Sequence, residues 1–166
     1  GGREYARASA LDTADALNQI NPNFIRIRSM ALAESLEMYE DYEKGLLTRP
    51  NDIETIHEIR LFIESLEGIT SVVDSDHILN ILLELRGRLP EDKPKMLALI
   101  DRFLALPEPT QNIFRLGRRL GVMGELSDLN RPSLVDKVKE TMERAEIDRN
   151  NIDEVCDQLM IRAIPI

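Results

Sequence analysis

The ten residues Asn21 to Met30, NPNFIRIRSM, constrain the fold of this chain more than any other stretch. They read as a turn at Asn21-Pro22 followed by one strand, Phe24 to Met30. Successive side chains of a strand point to opposite faces, so Ile25, Ile27 and Ser29 fall on one side and Phe24, Arg26, Arg28 and Met30 on the other. An apolar strand face needs a cover, and the preceding segment offers one. From Arg3 to Ile20, the residues Ala10, Leu11, Ala14, Leu17 and Ile20 recur at helical spacing, and the many small side chains would let this helix sit close against a sheet. Gly1-Gly2 stands directly before that helix, as if an earlier strand had been cut away, so the chain is expected to be the tail of something larger.

With 166 residues, of which 43% are hydrophobic, the chain can bury a core and is expected to be globular and soluble. A formal net charge of -9 argues against broad binding to nucleic acid or to an anionic membrane, both of which need a basic footprint. No apolar run approaches the roughly 20 residues that span a bilayer, and no signal-peptide pattern opens the chain, so the cytoplasm is the expected location. Tyr5 stands where a myristoylation signal needs Ser or Thr. The single Cys156 cannot form an internal disulfide, and among Ile152, Val155 and Leu159 it reads as a buried structural thiol. His57 and His77 lie far apart and lack metal-ligand spacing, so no metal site is expected.

Beyond the strand, a short helix is expected around Glu34 to Lys44, ended by Gly45. Pro50-Asn51 opens the next one, with Asn51 and Glu54 as a capping box, a stripe of Ile53, Ile56, Ile59, Ile63 and Leu66, and a stop at Gly68. Ile69 to Val73 reads as a second strand, Ile78 to Leu85 as a short helix broken at Gly87, and Pro90 to Leu106 as a helix with Leu97, Ile100 and Leu104 on one stripe beside Phe103. Pro107 and Pro109 mark a boundary. Three helices are expected after it: Thr110 to Leu120, Ser133 to Ala145 and Asn151 to Ala163, the last two with cap signals in Ser133 with Asp136 and Asn151 with Glu154. The fold class is thus α/β to mostly α.

Two polar groups stand out. Asp74, Asp76 and His77 at a strand end could orient a substrate or transfer a proton, or Ser75 and Asp76 could simply cap the helix that follows. Arg115, Arg118 and Arg119 share one helix and could meet an anion or an acidic partner, although a solvated basic face is the plainer reading.

The order Gly-Gly, helix, INPNFIRIRSM, YEDYEKG, EIRLFIESLEGITSVVDSDHILN and GRLPEDKPKMLALID resembles the C-terminal half of bacterial radical SAM proteins of the elongator-subunit and coproporphyrinogen-oxidase-like kind. The likeness spans about two thirds of the chain and is strongest at SDHILN and LPEDK. It implies the last βα units of a partial (β/α)6 barrel over residues 1-32, an α/β extension over 33-106 and a C-terminal helical segment over 107-166. In such proteins a CxxxCxxC motif of the first half holds a 4Fe-4S cluster that reductively cleaves S-adenosylmethionine, so the missing N-terminal half would be the partner of this chain. The fragment alone would hold neither cofactor and would be inactive. The resemblance further implies cofactor contacts from Gly1, Gly2, Arg28, Ser29 and Met30, and substrate contacts from Arg26, Asp74, Asp76 and His77. Arg26 and Arg28 would point into the lumen, or else pair with acidic neighbours or face solvent. The second function class is a stand-alone α-rich interaction module without catalysis.

Overall fold

The computed structural model describes residues 2–163. A turn of 3-10 helix, Arg3–Tyr5, leads into α1 (Ala6–Ile20), and the first strand follows as β1 (Phe24–Arg26). Helices α2 (Glu37–Glu43) and α3 (Asp52–Ser65) precede β2 (Val72–Asp74), and β3 (Arg86–Arg88) is followed by α4 (Lys93–Leu104) and α5 (Glu108–Arg119). After a second 3-10 turn, Leu126–Asn130, come α6 (Pro132–Arg144) and α7 (Ile152–Arg162). The protein is mostly helical around one small mixed sheet, in the order β1-β2-β3. β1 and β2 run parallel, with Ile25 opposite Val73, and β2 and β3 run antiparallel, with Val73 opposite Gly87.

The alternation expected at β1 is present: Ile25 is buried and Ile27 and Ser29 are half-buried, while Phe24, Arg26, Arg28 and Met30 are exposed. The strand itself is shorter than the expected Phe24 to Met30. The amide of Ile27 still donates to the Asp74 carbonyl at 2.9 Å, but beyond it the side chain of Asn80 takes the place of a neighbouring strand. Its Nδ2 donates to the Ile27 carbonyl at 2.8 Å and its Oδ1 accepts from the Ser29 amide at 2.7 Å. Once a side-chain amide satisfies these backbone groups, no strand is needed beside them.

Helix α3 starts as its sequence demands. The Glu54 amide donates to Asn51 Oδ1 and the Asn51 amide donates to Glu54 Oε2, both at 2.9 Å, so both halves of the capping box are made. Ile56, Ile63 and Leu66 are buried along it. α1 packs chiefly on α3 rather than flat on the sheet, and its buried Ala10 and Ala14 permit the close approach. Gly45 and Gly68 follow α2 and α3 at φ 70° and 68°, where a side chain would be strained. The cap signals of the last two helices are not realised: α6 has no side-chain cap bond, and Asn151 Oδ1 accepts from the Asp148 amide at 2.8 Å instead.

The segment 78–85 departs most from expectation. It forms turns, not a helix, although Leu79, Ile81, Leu82 and Leu85 are buried. A helix would satisfy its carbonyls with amides four residues on; here arginines do so. Arg119 donates to the Leu79 carbonyl at 2.6 Å, and Arg118 to those of Asn80 at 3.0 Å and Ile81 at 3.1 Å, with a third bond to Met123 at 2.9 Å. Gly87, expected to break a helix, is the middle of β3. A Cβ there would stand 2.4 Å from that of Asp92. Asp92 lies on the outer edge of β3, where its carboxylate accepts from the Arg88 amide at 2.9 Å and its amide donates to the Arg88 carbonyl at 2.8 Å. α4 accordingly begins at Lys93 rather than Pro90, and its buried stripe is Met96, Ile100 and Phe103.

The arginines of α5 overturn the solvated-face reading. Arg115 is 3% exposed, and its Nε donates to Asp52 at 3.2 Å. It also pairs with Asp153 and donates to Asn112 Oδ1 at 3.1 Å, while Arg119 takes the second oxygen of Asp52. Burial works against the charge of Arg115, but Asp52 and Asp153 outweigh it and hold the guanidinium above its ordinary value. The cluster joins α3, α5 and α7. One apolar cluster runs beside it from Ala14 to Cys156, with the Phe103 and Phe114 rings 5.8 Å apart.

Candidate functional site at the carboxyl ends of the parallel strands

Because β1 and β2 are parallel, the segments that leave them emerge on the same side of the sheet, the usual place for a ligand in an open α/β arrangement. Residues 27–30 leave β1 and residues 75–80 leave β2. Asn80, buried to 1% exposure, ties the two together, since its Nδ2 also donates to Ser75 Oγ at 2.8 Å. It was not singled out from the sequence, where it lay inside the expected helix. With no helix there, the capping roles considered for Ser75 and Asp76 fall away.

Arg26, Asp74 and Arg86 are directly opposite one another across the three strands and therefore share a face. Arg26 is bound by Asp76, through Nε at 3.2 Å and through Nη2 to the other carboxylate oxygen. The hydrogen bond from Arg26, aided by the charges of Arg26 and Arg28, holds the Asp76 carboxyl below its ordinary range. The pair is roughly half exposed, so solvent weakens it. Asp74 Oδ1 and His77 Nδ1 are shielded from water without a hydrogen-bond partner among the described residues. Arg28 has no ion pair among them either and borders two cavities.

One cavity, of about 480 Å3, lies between α1, β1 and α3. The consecutive residues Ile25 to Ser29 all line it, so it runs along the backbone of β1, whose second edge has no strand among the described residues. The other, of about 370 Å3, brings Arg28, Ser29 and Met30 together with His77. Gly2 lines neither and packs near Leu47 instead. Gly1 lies outside the described residues. Cys156 is buried as expected, and burial pushes its thiol up to about 12, which leaves it inert. Among the described residues no group of three or more His, Cys, Asp or Glu could hold a metal ion, and no helix is long and apolar enough to cross a membrane.

Glu58 lines the larger cavity, and burial raises its carboxyl above the ordinary glutamate value. A raised carboxyl binds its proton more tightly folded than unfolded, so its contribution is present below the unfolded value and is lost as pH rises through the folded one. Glu58→Gln should therefore raise the melting temperature near neutral pH and leave it unchanged at a pH below the ordinary glutamate value. Equal shifts at both pH values would show that the carboxylate carries no burial cost.

No family model, curated protein or solved structure matches this chain.

Proposed function

We propose that this chain is the C-terminal portion of a radical SAM enzyme, supplying the end of an open barrel wall and the cover on its substrate side. The observation that carries the reading is the division of the small sheet into two faces. Ile25 and Val73 lie buried, while Arg26, Asp74 and Arg86 occupy the opposite face. A barrel wall that encloses a ligand has this division, with helices against the outside and side chains of another character within. The parallel pairing of β1 with β2 across intervening helices supports it, as does the edge of β1 that has no strand among the described residues and a cavity along it. A strand from the N-terminal half would take that edge. A cytoplasmic location goes with the reading.

The residues here do not fit a 4Fe-4S cluster. Such a cluster takes three thiolates, whereas the chain has one cysteine, and that one is buried. The cluster would belong to the N-terminal half, and no step is routed through it. For S-adenosylmethionine, the Ser29 amide is already taken by Asn80, whereas Arg28 keeps the donor chemistry for a carboxylate beside a cavity. Arg26, Asp74, Asp76 and His77 would stand on the substrate side.

Anaerobic reconstitution with iron and sulfide tests the proposal. The product of the whole reading frame that encodes this chain should bind a 4Fe-4S cluster and, once reduced, cleave S-adenosylmethionine. The present chain alone should do neither. A whole reading frame without the three-cysteine motif would overturn the proposal, and so would a stoichiometric cluster on this chain alone.

A further inference from the structure

We infer that Arg28 and His77 form a binding site for an anionic group, a carboxylate or a phosphate, carried on an apolar body. The site uses the same Arg28 and cavity that the function proposed above gives to a carboxylate, and it needs only residues of this chain. Its cavity of about 370 Å3 falls within the size of small-molecule sites, roughly 300 to 1,000 Å3. The lining divides sharply into an apolar and a polar part.

Met30 and Ile78 form the apolar mouth and are 56% and 65% exposed, although both are large hydrophobic side chains. Ala31 and Leu79, buried with Met160 in a small separate apolar cluster, make the floor. Exposed apolar side chains around a concave wall leave free energy to be gained by an apolar occupant.

The polar part is cationic. Arg26, two residues before Arg28, is taken up by Asp76, and that pairing also offsets the carboxylate that would otherwise repel an anion. The Arg28 guanidinium makes no hydrogen bond or ion pair among the described residues and lines the cavity. His77 lines it as well. Arg28 donates to the oxygens of the anion with the His77 ring beside it, and the apolar body lies against Met30, Ile78 and the floor.

The chain has two histidines, and His57 is exposed on α3, so the imidazole signals in a proton–carbon correlation spectrum carry their own control. On titration of the full chain, octanoate should shift the His77 signals and leave those of His57 in place. It should bind at least about tenfold tighter than acetate, because its methylenes leave water at the mouth. Octyl phosphate in its place distinguishes the headgroups: binding of either amphiphile supports the site, and the tighter one assigns the anion. Arg28→Gln, at an exposed position, should weaken binding at least about tenfold through loss of a charge-assisted bond, with the His57 signals unchanged as the check that the fold is kept. An unmoved His77 with both amphiphiles at millimolar concentration would overturn the inference. Undiminished binding by Arg28→Gln, or acetate as tight as octanoate, would do the same. Cluster reconstitution reads none of these signals, so failure of the site and failure of the enzyme reading are told apart.

Discussion

Asp52→Asn should destabilise the fold by about 3 to 5 kcal/mol, the cost of removing one partner from a buried ion pair. Asn keeps the size of the side chain, so the loss is electrostatic. Arg115 and Arg119, each with its side chain 3% exposed, would stay buried with their main counter-charge gone, and Asp153, half in solvent, cannot replace it. Urea unfolding reads the effect as a lower midpoint at constant slope. Replacing the cluster as a whole, with Asp52→Leu, Arg115→Met and Arg119→Met together, should recover much of the loss, since charges removed together leave none uncompensated. A loss below about 1 kcal/mol for the single variant would mean that water reaches the guanidinium groups.

Arg118→Met should cost about 3 kcal/mol through a different route. Methionine keeps much of the unbranched stem of Arg118 and removes its donors, so the carbonyls of Asn80, Ile81 and Met123 lose their partners. Burial, reinforced by the charge of Arg119, already lowers this guanidinium below its ordinary value, yet three carbonyl bonds hold it in place. Because the segment 78–85 has isolated turn bonds and no α-helical ladder, its amides should exchange with solvent faster in the variant while those of α3 and α4 stay protected. Uniform loss of protection would place the effect in the global stability instead.

The same arginines mark where the sequence could be read and where it could not. Part of the local chemistry was legible: the Asn51 and Glu54 capping box, the stops at Gly45 and Gly68 and the alternation from Phe24 to Met30 all rest on neighbours within a few residues, whereas the stop at Gly87 and the caps at Ser133 and Asn151 were not realised. Partners distant in sequence were not. Arg115 meets Asp52 across 63 residues, and nothing near either one announces the meeting. Read alone, three arginines on one helix look solvated, and Asp52 looks like an ordinary first-turn acid. The apolar run after His77 looked helical for a related reason, since its periodicity is present but its carbonyls go to α5. β3 was hidden because RGR carries edge-strand charges and no β-branched residue. At the candidate site, Arg26, Arg28, Asp74, Asp76 and His77 were visible as residue types at strand ends. Asn80, which joins the two strand ends, was not, because its role depends on the turns around it.

Asp92 gives the sheet a polarity. It occupies the outward amide and carbonyl of Arg88, so β3 offers less to a further strand, whereas the outer edge of β1 has no strand among the described residues. Two copies of this chain could join through their β1 edges, and neither would then have a second edge to offer. Growth by edge pairing ends at a two-fold pair, because an open-ended fibre requires every copy to present two complementary edges. A single aspartate thus biases whatever assembles through this sheet toward a two-fold pair.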